Sequence, residues 1–337
     1  MNRKRICIGL GVAAVLLLAG LKLYDSLAPS RHFRGDRLPV LAAPAPPAAS
    51  PTVASPAQSA EAGEAPTTPG PGSAEAEAEA EAGFNVLLLG IDSRDKEGAG
   101  RSDVMIVAHV DPDERSIGLV SVPRDTRVAL PGVGQTKLNH AYFLGELRGG
   151  DDGGVRASIE AVSRLLQIPI HFYVKTDFRG FADTIDAIQG VDVELSDDML
   201  LSGTGTVLRK GVRHLDGDTA LQFVRERYSL AGGDFDRQAD QAALIKAVVA
   251  KMLSGEQLAR LPGIVKKAKA EFVETNLSAA DIASLALLFK DAGDLSFRHA
   301  TLPGRPVTEE DPLIGSKLWY WSADAEQVAA ISRDYLR

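Results

Sequence analysis

The polarity pattern of the chain is clearest in its second part. An apolar run at 84–89, ending at Gly90, predicts a strand. Two further runs at 103–110 and 115–122 are separated only by Pro112-Asp113-Glu114, so they are expected as antiparallel neighbours. The period then changes. Segments 138–147 and 155–166 predict helices, the second with Ile159, Val162, Leu165 and Leu166 on one face and Pro169 stopping it. A strand at 171–175, a helix at 178–188 closed by Gly190, and a strand at 191–195 follow. Asp216 is placed to cap a helix at 219–224. Helices are expected at 237–253, with Ala242, Ile245, Val249 and Met252 on one side, and at 257–272 and 279–289. A strand at 295–302 and a helix at 323–336 complete the series.

Strands alternate with helices, and the apolar strands read as covered on both faces. The fold class is therefore α/β: a three-layer α/β/α sandwich around a mixed central sheet. No compositional break divides 84–337, which reads as one domain.

The first part of the chain follows another pattern. Arg3, Lys4 and Arg5 precede an apolar run at 6–21, which Lys22 interrupts and Leu23 and Tyr24 extend. The run resembles a secretory signal peptide or a short membrane anchor. No small-x-small cleavage site follows closely, which favours an uncleaved transmembrane helix. Residues 1–27 are then a cytoplasmic basic flank and anchor, and the rest of the chain lies outside the cell membrane. Residues 28–83 are rich in Ala, Pro, Ser, Gly and Glu, and 73–82 alternates Ala and Glu. Such a stretch buries too little apolar surface to order itself, so it is expected as a disordered stalk.

Composition narrows the function classes. The 337 residues carry a net charge of −8, which disfavours a nucleic-acid-binding surface. One cysteine, Cys7, excludes an internal disulfide framework. Histidines 32, 109, 140, 171, 214 and 299 show no metal-ligand spacing. A Gly-x-Ser-x-Gly elbow and the common nucleotide fingerprints are absent.

Charged residues instead gather at the ends of the expected elements. Asp92 and Arg94 leave the first strand, Arg101 and Asp103 enter the second, and Arg124 and Asp125 leave the third. Lys137 stands at the start of a helix, Arg225 and Arg227 close another, and Asp234, Asp236, Arg237 and Gln241 open the next. Each pair alone is commonly a solvated surface pair. Together, several guanidinium forks suit a diphosphate, and paired carboxylates suit a Mg²⁺ ion bridging its oxygens. That combination points to phosphoryl transfer. Arg225 and Arg227 are about 200° apart on a helix, so both face one ligand only if the helix ends there.

Seven segments in order resemble the LytR-CpsA-Psr family of envelope glycopolymer transferases. They are NVLLLGIDSR (85–94), GRSDVMIVAHVD (100–111), SVPRDTRVALPG (121–132), KLNHAY (137–142), IPIHFYVKTDFRGFADTIDAIQGVDVEL (168–195), LDGDTALQFVRERY (215–228) and DFDRQADQ (234–241). The resemblance implies a polyprenyl-pyrophosphate-linked glycan donor, its lipid in an apolar tunnel between sheet and helices. It also implies a cell-wall acceptor hydroxyl, such as one of peptidoglycan, and Mg²⁺ (or Mn²⁺) held by Asp92 and Asp103. Arg101, Arg124, Arg225, Arg227 and Arg237 would hold the pyrophosphate, with Lys137 and Gln241 adding contacts. Arg101, Asp103, Arg124 and Asp234 would form the catalytic set, with Asp103 or Asp234 as the base. Asp125 would orient a neighbouring arginine. The chain departs from the family's usual pattern with Asp236 in place of Gly and Asp240 in place of Arg. A polyprenyl-pyrophosphate hydrolase, or a non-catalytic envelope protein that binds polyprenyl phosphate, would share these residues.

Overall fold

Alternation along one strand sets the layers. In β1 (Phe84–Asp92), Leu87, Leu89 and Ile91 join one apolar cluster, while Phe84 and Val86 join another on the opposite face. The computed structural model describes residues 28–33, 38–44, 83–92, 100–227, 234–252, 254–289 and 295–337. After the short helix α1 (Pro29–His32) and β1 come β2 (Arg101–Asp111), β3 (Ser116–Ser121) and a small hairpin of β4 (Arg127–Leu130) and β5 (Gly134–Lys137). Next are helix α2 (His140–Leu166), β6 (Phe172–Asp177), α3 (Phe178–Ala187) and β7 (Val191–Leu195). Two short strands, β8 (Met199–Leu201) and β9 (Thr206–Leu208), precede β10 (Gly211–Leu215) and α4 (Gly217–Arg225). The chain continues through α5 (Asp234–Met252), α6 (Gly255–Glu271), β11 (Glu274–Thr275), α7 (Ala279–Phe289) and β12 (Ser296–Thr301). A second hairpin, β13 (Gly304–Asp311) with β14 (Ser316–Ala323), leads to α8 (Ala325–Tyr335).

Six strands form the central sheet in the order β11-β6-β1-β2-β3-β12. β1 runs parallel to β6 and antiparallel to β2, and β3 runs antiparallel to β2 and parallel to β12, so the sheet is mixed. Residues of α2 and α8 cover the face of Leu87 and Leu89; residues of α5 and α7 cover the face of Val86. A third cluster joins α3, α4, α5 and the β7–β10 pair at one side. Asp216 caps α4 by accepting from the Thr219 N–H at 2.9 Å, as the sequence predicts. α2 is broken at Gly149 and Gly150, which leave helical geometry, so the two expected helices survive as its two arms.

Three features differ from expectation. The 323–336 helix starts later, at Ala325 behind the Asp324 cap, because 316–323 is committed to β14. The hairpins β4–β5 and β13–β14 have too little apolar alternation to be read from sequence. Two pieces of the expected stalk dock on the domain: Phe33 stacks on Phe84 at 4.2 Å, and Ala42 pairs with Ile170. Phe33 supplies what the surrounding composition lacks, a large apolar group that gains by burial. The expected anchor at 1–27 and most of the stalk lie outside the described residues. Among the described residues, no helix is long and apolar enough to cross a membrane.

Candidate functional site

The site begins with a slip in strand register. Gly90 pairs with Val104 and Ile91 with Ser102, which leaves Asp103 unpaired in a β-bulge. Asp92 lies opposite Arg101 at the same end of the pair. Asp103 Oδ1 accepts from Arg124 Nη1 at 2.6 Å, and Arg124 Nε stands 3.6 Å from Asp125 Oδ2. Asp125 Oδ1 in turn accepts from Lys137 Nζ at 2.6 Å. Asp103, Arg124, Asp125 and Lys137 therefore form one chain of alternating charge.

The loop carrying Arg124 is held by its backbone. Val122 N–H donates to Met105 O at 2.9 Å, and Thr126 N–H to Pro123 O at 3.0 Å. Trp321 N–H donates to Asp125 O at 2.9 Å, Asn139 N–H to Arg124 O at 3.1 Å, and Leu138 N–H to Thr126 O at 2.8 Å. Strand β14 and the start of α2 thus fix the loop from two sides. The Arg101 guanidinium lies over the Phe143 ring, 5.8 Å from its centroid.

A second group lies at the junction of α4 and α5. α4 ends at Arg225 and Glu226 is extended, which meets the geometric condition for Arg225 and Arg227 to share a ligand. Glu226 is buried; its carboxylate accepts from Ser202 N–H at 2.6 Å, Ser202 Oγ at 2.9 Å and Arg227 N–H at 2.9 Å. Arg225 lies over the Phe178 ring at 4.5 Å. Gln241 Nε2 donates to Val224 O at 3.2 Å, tying α5 to the end of α4, and Arg237 is buried one turn earlier. The Asp234 backbone begins α5, while its side chain and Arg94 lie outside the described residues.

Asp240 is a liability in this second group. Its Oδ2 is sealed from solvent without a hydrogen-bond partner. Burial, with the Asp236 charge adding to it, pushes its pKa from 3.8 up to about 7. The folded state therefore holds this proton more tightly than the unfolded chain. The resulting stability is present below the ordinary value of 3.8 and is lost as pH rises through about 7. Thermal melts at pH 4, 6 and 8 check this. The Asp240→Asn protein should gain progressively on wild type as pH rises, and parallel curves would contradict the assignment.

A cleft of about 790 Å³ opens at the ends of β1 and β6, beside Gly100 and Ile91. Its lining includes Glu146, Asp151, Lys175, Asp177 and Glu274. Lys175 Nζ reaches Glu274 at 2.6 Å and also contacts Asp151, which bonds the Tyr142 hydroxyl. Burial lowers the Lys175 pKa, but these two carboxylates more than offset it, and the net shift is upward.

A network centred on Asp311 of β13 gave no sequence signal. Asp311 Oδ2 accepts from Thr136 Oγ1 at 2.7 Å and from the Tyr320 hydroxyl at 2.6 Å; Oδ1 accepts from Leu313 N–H at 2.8 Å and Ile314 N–H at 3.0 Å. Thr136 Oγ1 also lies 2.6 Å from His140 Nδ1. Burial opposes the Asp311 charge, but these donors hold its pKa below the ordinary value.

Asp92 and Asp103 offer two hard oxygen donors at one strand end. That is the donor set Mg²⁺ uses when substrate phosphates and water complete its shell. Among the described residues no group of three or more His, Cys, Asp or Glu is placed to hold a metal. Two carboxylates alone suit an ion whose remaining ligands are phosphate and water.

The family model described as the LytR_cpsA_psr family matches residues 52–335. The polyisoprenyl-teichoic acid–peptidoglycan teichoic acid transferase TagV of Bacillus subtilis (strain 168) is 33% identical over 260 residues, 74% of this chain and 63% of that protein. The chain thus spans less than two thirds of that relative. A transferase of the same description, TagU of Bacillus cereus, is 35% identical over 238 residues, 70% of this chain and 72% of that protein. The crystal structure of B. subtilis TagV superposes with a TM-score of 0.63 at 31% identity, covering 75% of this chain and 96% of that one. A structure of TagT bound to LIIa-WTA gives a TM-score of 0.60 at 25% identity, covering 76% and 92%.

Proposed function

The chain belongs to the LytR-CpsA-Psr family, and from that premise we propose that it transfers a glycopolymer, as a sugar phosphate, from a polyprenyl-pyrophosphate carrier to a hydroxyl of peptidoglycan. The observation that carries this reading is the pinned loop, which presents Arg124 between Asp103 and Asp125 with Lys137 alongside. Relatives described as acting on polyisoprenyl-teichoic acid and peptidoglycan support it.

In this reading Arg124, Lys137 and Arg101 bind the diphosphate oxygens and offset charge that grows on the leaving group. Asp125 holds Arg124 and Lys137 in place. Arg225, Arg227, Arg237 and Gln241 approach from the α4–α5 junction, and Asp234 stands at its rim. Asp92 and Asp103 would hold Mg²⁺, which supplies further positive charge to the diphosphate when bound. The acceptor oxygen attacks the sugar-bearing phosphorus, and polyprenyl phosphate departs with the bonding electron pair. Residues 1–27 anchor the chain, and the domain works outside the membrane. The full chain, incubated with Mg²⁺, a polyprenyl-pyrophosphate-linked glycan and purified peptidoglycan, should yield glycan covalently bound to the wall polymer. Free glycan phosphate with no wall-bound product would instead identify a hydrolase, and no turnover a binding protein.

A further inference from the structure

The Asp311–Thr136–His140 chain fixes where its protons sit. Asp311 is an ionised, acceptor-only carboxylate that is 1% exposed. A hydroxyl has a single proton, and Thr136 gives it to Asp311 Oδ2 at 2.7 Å. Toward His140 Nδ1, 2.6 Å away, the Thr136 oxygen can therefore only accept. The ring proton of neutral His140 is on Nδ1, and Nε2 keeps a bare lone pair. Among the described residues Nε2 has no hydrogen-bond partner, and His140 is 6% exposed.

The position of the ring gives this lone pair a use. His140 is the first residue of α2, next to Asn139, whose N–H donates to Arg124 O at 3.1 Å. Phe143 is one turn on and shares its face, and Arg101 lies over that ring at 5.8 Å. The charges that face His140 are Asp311 from β13, Arg101 from β2, Lys137 from β5 and Asp125 from the β3–β4 loop. Burial lowers its pKa, Asp311 raises it, Arg101 and Lys137 lower it and Asp125 raises it; the net shift is downward, which keeps the ring neutral at pH 7. Asp103, by contrast, already accepts from Arg124 at 2.6 Å.

We propose that His140 Nε2 is the proton acceptor for the attacking hydroxyl, an assignment that rests on the transferase reading above. The acceptor oxygen forms its bond to the sugar-bearing phosphorus while its proton passes to Nε2. The bond from that phosphorus to the bridging oxygen breaks, and its electron pair leaves with polyprenyl phosphate. The imidazolium so formed keeps its Nδ1–H on Thr136, with the Asp311 charge behind it.

The test uses the full chain with Mg²⁺, a polyprenyl-pyrophosphate-linked disaccharide and purified peptidoglycan. His140→Asn keeps an N–H donor near Thr136 and removes the base. Its kcat should fall about 10²–10⁴-fold with the donor KM unchanged, and the wild-type fall in rate at acid pH should disappear. Nitrogen-15 NMR of wild-type His140 should show the proton on Nδ1, and Thr136→Val should give a mixture of tautomers. Wild-type rate and pH profile in His140→Asn, or a proton on Nε2 in wild type, would overturn the inference alone. Absence of any transfer by wild type would overturn the transferase reading and this inference with it.

Discussion

Arg124→Ala protein is expected to transfer glycan about 10³-fold more slowly than wild type, measured as labelled glycan bound to sedimented peptidoglycan. Two losses add. The diphosphate loses a fork-shaped donor, and Asp103 loses the partner 2.6 Å away, so its charge then faces the incoming phosphates. Arg124→Lys should recover only a small part of the rate. One ammonium cannot reproduce a guanidinium that reaches Asp103 at 2.6 Å and Asp125 at 3.6 Å while also offering N–H groups to a ligand. The loop itself should survive both changes, because the bonds that hold it come from its backbone. Near-normal turnover in Arg124→Ala would remove this residue from the clamp.

Asp311→Ala is expected to cost about 3–5 kcal/mol of stability, since each buried donor left without its acceptor costs about 1–3 kcal/mol. The substitution leaves the hydroxyls of Thr136 and Tyr320 and the N–H groups of Leu313 and Ile314 without their acceptor. Thr136 and Tyr320 are both fully buried, so water cannot readily replace the carboxylate. Calorimetry should show the melting temperature lowered by roughly 10 °C for a domain of this size. Asp311→Asn should fall between the two proteins, since its amide still accepts through oxygen but presents N–H groups to donors. An unchanged melting temperature in Asp311→Ala would show that the network contributes nothing net.

The strands at the centre of the sheet were legible because all three are apolar on both faces, with Leu87, Leu89, Val107 and Val120 on one and Val86, Ile106 and Leu119 on the other. The antiparallel β2–β3 pair was legible from its three-residue link. β13 was not: Gly304–Asp311 is mostly polar and exposed, and its role is to carry Asp311 into the interior. The individual charged residues of the site could be picked from element ends, but their partners could not. Asp103 and Arg124 meet only because β2 and β3 pair in one register, and the bulge that turns Asp103 out is a property of two strands together. Thr136 and Asp311 are 175 positions apart, so nothing local marks His140 as more than an ordinary residue of a helix start. The stalk docks near Phe33 because one aromatic ring outweighs the surrounding composition.

The last strands and helix stand behind the site. β12 lies beside β3, Leu302 N–H donates to Ser121 O at 2.9 Å, and Trp321 N–H holds Asp125 O. Gly118 of β3 has no room for a Cβ because the Tyr335 carbonyl packs against it. The ribosome makes these residues after the motif residues. The motif residues from Asp92 to Gln241 all emerge before β14, so a growing chain carries the charged groups with the Arg124 loop braced only by the start of α2. The Arg124 loop therefore gains its full bracing only once β14 and α8 have packed against β3.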